Sequence, residues 1–240
     1  MSRMAFNISA VLFDFWNTLF IPQVDPVTYW RLRAEYVREA LESFGYSYST
    51  EDVLNALRHT RKVCDVIRKF GNREISVYGE VAAALHFLGI ESLDEKLVNE
   101  VSKSYARPFI ETPKPDEDAE LVLSTIKEER GLKTGIISNT MFSWANRELL
   151  RKYNLQKYFD VLIFSDEMGR LKPDPVIFRA ALSRLGVNAE NAIMVGDEPA
   201  DVIGARVAGM RPILVARSGV NAPTKDVIVV RSLKEVLEYI

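Results

Sequence analysis

The sequence predicts an α/β protein: a parallel sheet covered by helices on both faces, carrying an inserted bundle of helices. Three observations predict it. Short runs that are apolar throughout, such as Val161-Leu162-Ile163-Phe164 and Ala192-Ile193-Met194-Val195, recur along the chain, and such runs suit strands buried on both sides. From about residue 116 onward these runs alternate with helical patterns, the order that builds parallel strand–helix–strand units. Residues 22–111 hold helical patterns only, which makes them an insertion between the first strand and the next.

The elements follow in order. Val11-Leu12-Phe13 is a buried strand that ends at Asp14, and the chain then turns through Phe15-Trp16-Asn17-Thr18-Leu19-Phe20. Residues 8–21 are fairly apolar and follow Arg3, but Asp14 and Asn17 interrupt them and no small-residue cleavage site follows. A strand is therefore expected rather than a signal peptide. Over 27–44, Trp30, Ala34, Val37, Leu41 and Phe44 recur at helical spacing. Over 50–70, Thr50 suits an N-cap, Glu51 and Asp52 an acidic first turn, and Val53, Leu57, Cys64 and Ile67 the apolar side. Two more helices are expected over 76–89 and 92–106, the latter capped by Ser92. Helices then cover 116–129, 142–153, Pro175–Leu185, Pro199–Ala208 and 232–239. Strands lie at Gly135-Ile136-Ile137, 161–164, 192–195, Pro212–Val215 and Val227–Val230. The core domain is thus residues 1–21 with 112–240, and the helical insert is 22–111.

Composition narrows the function. A chain of 240 residues accommodates a core domain with an insert. The formal net charge of −2 gives no electrostatic reason to expect nucleic acid as a partner. One cysteine, Cys64, excludes an intrachain disulfide, fits a reducing compartment and suits a packed core position. No run of about 18 apolar residues is present, so no membrane span is expected. The expected location is cytoplasmic.

Ligands of parallel sheets bind beyond the carboxyl ends of the strands. Asp14, Ser138 and Asp197 each follow a strand, so the fold brings them to one edge. Taken singly, each has an ordinary alternative. Asp14 is a turn aspartate; Ser138-Asn139 caps the next helix; Lys172 is a surface lysine; Asp197 and Asp201 are an acidic helix start favoured by the macrodipole. Against these, Pro173 and Pro175 make a rigid entry into a helix that would aim Lys172. Asp197 and Asp201, four apart, can face one side and suit an oxygen-liking cation.

Asp14-Phe15-Trp16-Asn17-Thr18, Ser138-Asn139, Lys172-Pro173 and Gly196-Asp197-Glu198-Pro199-Ala200-Asp201 resemble the four ordered motifs of the haloacid dehalogenase-like (HAD) hydrolase superfamily. The helical insert resembles, in position and character, the cap domain of its first subfamily. The resemblance implies a Rossmann-like parallel-sheet core with a helical-bundle cap and a set of roles. Asp14 is the nucleophile, Thr18 makes a positioning hydrogen bond, and Ser138 binds a substrate oxygen while Asn139 lines the pocket. Lys172 offsets charge, with Arg170 the weaker candidate for that task. Asp14, Asp197, Asp201 and the backbone carbonyl of Trp16 bind Mg²⁺. The partner implied is a small anionic, phosphorylated substrate.

Trp16 departs from the phosphatase pattern, which has an aspartate two residues after the nucleophile as the acid–base group. Tryptophan can neither protonate a leaving group nor activate water. Three readings stay open. The first is Mg²⁺-dependent hydrolysis of phosphate esters or acyl phosphates. The second is 2-haloacid dehalogenation, whose enzymes carry an aromatic residue at this place and use no metal. The third is a binding or regulatory protein on the same scaffold. The acids Asp197 and Asp201 favour the first. In the insert, Arg58, Lys62, Lys69 and Arg73 share a basic helical side that is either solvated or bears on an anionic substrate tail, while His59 and His86 are surface or packing residues.

Overall fold

The computed structural model describes residues 7–71, 73–217 and 227–240. Asn72, in the gap between the helices expected over 50–70 and 76–89, and Arg3 lie outside these residues. The described chain divides into two compact units. One holds the residues up to Ile21 with Lys114–Thr140 and those from Leu150 on; the other holds Pro22–Pro113 with Met141–Leu149.

The first unit begins with β1 (Ala10–Phe13), every residue of which is fully buried. After a turn comes β2 (Phe20–Ile21). The helical unit then supplies α1 (Pro26–Ser43), α2 (Thr50–Gly71), α3 (Val77–Phe87) and α4 (Glu95–Glu111). Each begins where a side chain accepts the orphan N–H groups of the first turn. Asp25 accepts from Val27 and Thr28, Ser76 from Gly79, and Asp94 from Leu97. Two expected caps are therefore corrected. Ser49, not Thr50, caps α2, because its hydroxyl accepts the Asp52 N–H while Asp52 accepts the Ser49 N–H in return. Asp94, not Ser92, caps α4, where a carboxylate also meets the positive end of the helix dipole. The helix then runs through Pro108 to Glu111, five residues beyond the expected end at 106.

Within this unit α1 packs on α4 and α2, α3 lies against α2 and α4, and Phe142 meets Phe109 edge to face at 4.6 Å. A buried polar network ties the helices together. Glu80, 1% exposed, takes the hydroxyl of Tyr105 at 2.6 Å and pairs with Arg61 and Arg68 at 2.9 Å each.

The chain re-enters the first unit at β3 (Lys114–Pro115), antiparallel to β2, with Ile21 opposite Lys114 and Phe20 opposite Pro115. This two-strand ribbon was not expected. Helix α5 (Ala119–Ser124) follows, and Thr125–Glu129 widens into a π turn, so the helix expected over 116–129 is shorter and irregular at its end. Then come β4 (Lys133–Ser138), α6 (Ser143–Lys152), β5 (Val161–Phe164), the short α7 (Ser165–Met168), α8 (Pro175–Leu185), β6 (Ala192–Gly196), α9 (Pro199–Ala208), β7 (Arg211–Val215) and β8 (Ile228–Val230). The last turns, Lys234–Tyr239, are 3₁₀ rather than the expected α-helix.

The sheet order is β5-β4-β1-β6-β7-β8, every pairing parallel. β1 is central, flanked by β4 and β6. One face packs Ile177, Phe178, Ala181 and Leu185 of α8 onto Leu12, Ile137, Ile163 and Met194. Fully burying side chains of this size stabilises by about 1.5–3 kcal/mol each. Gly204 of α9 lies so close to Phe178 that a Cβ there would come within 2.2 Å of its ring. The adjacent C-terminal ends of β4, β1 and β6 carry Ser138, Asp14 and Asp197.

Candidate active site

Asp14 extends the central strand by one residue, its N–H donating to the Val195 carbonyl at 2.8 Å. The chain then folds back on itself. Leu19 and Phe20 both donate N–H to the Phe15 carbonyl, Asn17 donates to Phe20, and the Phe15 and Phe20 rings stack at 4.6 Å. Asn17 adopts a φ of 56°, a left-handed conformation that asparagine tolerates better than most side chains. Trp16, half-buried, sits in this turn and forms an isolated bridge with Phe20.

Asp14 is 5% exposed. Its Oδ1 takes the ammonium of Lys172 at 2.5 Å, and the same Nζ reaches Oδ1 of Asp201 at 2.7 Å. Asp201 is in the first turn of α9 and accepts the Glu198 N–H at 3.1 Å through its other oxygen. Gly196 makes this approach possible, since a Cβ there would stand 2.2 Å from the Asp201 carboxylate. Asp197 accepts the Thr18 hydroxyl at 3.2 Å. Thr18 thus positions one of the acids rather than Asp14 directly. One carboxylate oxygen from each of Asp14, Asp197 and Asp201 lies within 4.8 Å of the other two.

Electrostatics follows from this crowding. Burial and the neighbouring charges of Asp14 and Asp201 raise Asp197 to about 7. Burial raises Asp201 to about 6, with Lys172 pulling it down and Asp14 pushing it up. Burial alone would lower Lys172, but Asp14 and Asp201 outweigh it and hold the ammonium charged. Three acids facing one lysine leave the site short of positive charge, and the donor set is all oxygen, so the residues fit a hard divalent cation.

Ser138 is buried at the end of β4, paired with Phe164 of β5. Asn139, the next residue, spends both ends of its amide on the backbone of Lys172: Oδ1 accepts its N–H at 2.7 Å and Nδ2 donates to its carbonyl at 3.1 Å. The turn that presents Lys172 is closed by the Asp174 N–H on the Leu171 carbonyl at 2.8 Å. Arg170 instead pairs with Asp174 at 3.7 Å.

Two supporting residues went unread in the sequence. Arg217, just past β7, donates to the carbonyls of Asn17 and Thr18 and pairs with Asp116 at 2.7 Å. It fastens the turn that carries Trp16 and Thr18. No motif marks it, because two of its partners are backbone carbonyls 200 and 199 residues away and the third is the side chain of Asp116, 101 residues away. Ser165 holds Thr140, accepting its N–H at 2.8 Å and donating to its carbonyl at 2.9 Å. In the helical unit, Arg58, Lys62, Lys69 and Arg73 are exposed, Cys64 is buried, and His59 stacks on Phe87 at 4.4 Å. Among the described residues no helix is long and apolar enough to cross a membrane.

The parallel sheet, with a carboxylate, a lysine and two further acids at its carboxyl edge, defines a hydrolase scaffold. The chain belongs to the haloacid dehalogenase-like hydrolase family, whose model matches residues 8–209. It is 28% identical to a glyceraldehyde 3-phosphate phosphatase of Methanothermobacter thermautotrophicus over 245 aligned residues, covering 97% of this chain and all of that protein. A phosphoserine phosphatase of Thermus thermophilus is 42% identical over 101 residues, 42% of this chain and 40% of that protein. Among solved structures, a 2-haloacid dehalogenase from Pseudomonas syringae superposes with a TM-score of 0.72 at 22% identity, covering 96% of this chain and 97% of that one. At that identity the likeness concerns the fold.

Proposed function

We propose that the protein is a Mg²⁺-dependent phosphatase acting on small phosphate esters or acyl phosphates through an aspartyl intermediate at Asp14. The observation that carries the reading is the cluster of Asp14, Asp197 and Asp201 within 4.8 Å. A 2-haloacid would require neither Asp197 nor Asp201. The phosphatases similar to this chain, one of them along its whole length, support the same class.

The Asp14 carboxylate attacks phosphorus and the P–O bond to the leaving group breaks, expelling an acylate, or an alkoxide that takes its proton from water. Water then attacks the aspartyl phosphate, releasing inorganic phosphate and regenerating the Asp14 carboxylate, so that one hard displacement becomes two easier ones. Lys172 holds Asp14 in place and offsets the charge gathered on the phosphoryl oxygens. The Ser138 hydroxyl binds one of those oxygens. Asp14, Asp197, Asp201 and the Trp16 carbonyl would hold Mg²⁺, which when bound would supply the positive charge that this acid-rich edge lacks. Thr18 aims Asp197. Trp16 cannot protonate a leaving group, which restricts good substrates to those whose leaving group departs unaided, acyl phosphates foremost. Residues 22–111 take the place of the helical cap in this reading.

Phosphate release from a panel of phosphomonoesters and acyl phosphates, with and without Mg²⁺, tests the reading, with Asp14→Asn as control. Mg²⁺-dependent release that vanishes in the variant supports it. Trp16 itself favours a second reading, carbon–halogen hydrolysis, because halide leaves without a proton. Halide release from 2-haloacids with no phosphate release would establish that alternative.

A further inference from the structure

We propose that Asn139 is a positioning residue for the reaction, acting on Asp14 and Asp201 through Lys172 rather than by touching substrate. This rests on the phosphatase reading for its rate consequence, but not for its geometry.

Lys172 and Pro173 are the central residues of the turn closed between Leu171 and Asp174. Central turn residues stand outside the sheet ladder, so their own N–H and C=O groups need other partners. Asn139 supplies both for Lys172, at 2.7 and 3.1 Å, from 33 residues away in sequence. The two partners also settle which way the amide faces: the N–H needs an acceptor and the carbonyl needs a donor, so Oδ1 and Nδ2 cannot be exchanged. Asn139 is an exposed residue, where water offers an alternative partner to each end. The bidentate grip on one residue's backbone therefore serves direction.

That direction decides the site. Lys172 Nζ must meet two carboxylates on two different elements, Asp14 after β1 and Asp201 in α9, at 2.5 and 2.7 Å. A lysine has a long flexible stem, and ordering it costs rotamer entropy. Fixing its Cα from the end of β4 removes one source of that freedom. Asn139 directly follows Ser138, so the residue placed to meet a substrate oxygen and the residue that aims the lysine move as one segment of chain. The Lys172 backbone takes Oδ1 and one of the two N–H groups of Nδ2, so the KM of the variants separates the positioning role from any use of the second N–H on a substrate.

The test uses Asn139→Ala, which removes the grip, and Asn139→Asp, which keeps an acceptor for the Lys172 N–H but offers its carbonyl no donor. The first measurement is the ¹H–¹⁵N signal of the Lys172 ammonium in lysine-labelled protein, assigned with Lys172→Arg. The second is kcat and KM on the best substrate from the panel. The expected result is a shifted or broadened ammonium signal in both folded variants, with kcat down about tenfold and KM within about threefold. An unchanged ammonium signal overturns the proposal. So does a KM that rises while kcat holds, which is the mark of a substrate contact. If Asn139→Ala does not fold, Asn139→Asp decides. If no substrate turns over, the phosphatase reading fails separately, and the ammonium signal still decides this one.

Discussion

Lys172 places its ammonium 2.5 Å from Oδ1 of Asp14, and no other residue pair joins the central strand to the turn before α8 in this way among the described ion pairs. Both side chains are nearly buried, and Asp201 shares the same nitrogen. The lysine is the counter-charge for two acids on two elements, so it carries structural as well as chemical weight.

Lys172→Met should therefore destabilise the protein. It leaves two buried carboxylates without their cation, and breaking a buried pair from one side costs about 3–5 kcal/mol. Urea unfolding should show that drop, and Mg²⁺ should recover part of it. A variant as stable as the parent without Mg²⁺ would mean the acids are neutralised by other means.

Stability should also depend on pH and Mg²⁺ together. Asp197 and Asp201 are raised to about 7 and about 6 in the folded protein, against about 4 for an unfolded aspartate. Between about pH 4 and 7 the folded metal-free chain thus holds more protons than the unfolded one. The contribution of these groups to stability falls as pH rises through that window and levels off above it. Mg²⁺ competes with those protons, so the increase in melting temperature that it causes should be larger at about pH 8 than at about pH 5. Thermal melts at the two values decide; an equal or larger increase at the lower pH counts against a carboxylate metal site.

Much of this site is legible in the chain. Asp14, Ser138 and Asp197 follow runs apolar enough to be read as buried strands, and a parallel sheet puts the ends of such strands on one edge whatever lies between. The supporting contacts are not legible, because they use backbone atoms. Arg217 grips carbonyls, and Asn139 grips a backbone N–H and a carbonyl, which any residue would offer at those places. The ribbon of β2 and β3 was missed because strands of two residues, one containing Pro115, show no alternation. The Ser49 and Asp94 caps were misplaced by one and two residues because several capping side chains stand side by side there, and only the geometry of the first turn chooses among them.

Trp16→Asp should raise phosphate turnover on ordinary monoesters. It restores a carboxylate two residues after Asp14, and a positioned acid is typically worth about 10²–10⁴ in rate, an upper bound for a site not otherwise adapted to it. Steady-state rates on esters with poor and good leaving groups would show it: the gain should be largest for the poor ones. A folded variant with unchanged or lower turnover contradicts the role given to this position.

Gly196→Ala tests the packing beneath the acids. Its Cβ would fall 2.2 Å from the Asp201 carboxylate, so Asp201 must move. Overpacking of this kind costs about 1–3 kcal/mol. The Mg²⁺-induced stabilisation should shrink as well. Full retention of both stability and metal response would show that α9 shifts freely against the end of β6.

The ribbon has a consequence for how such a chain can be built and rebuilt. Ile21 and Lys114 face each other across an antiparallel pair, the arrangement of a hairpin whose turn has been replaced by ninety-odd residues of helix. A turn of about two residues would close it, leaving the order of the six parallel strands untouched. Helical modules of other lengths and surfaces can therefore be exchanged at this doorway without redrawing the catalytic sheet. Met141–Leu149 groups with the helices although it lies between β4 and β5 in the chain, so a second stretch of sequence goes with the module.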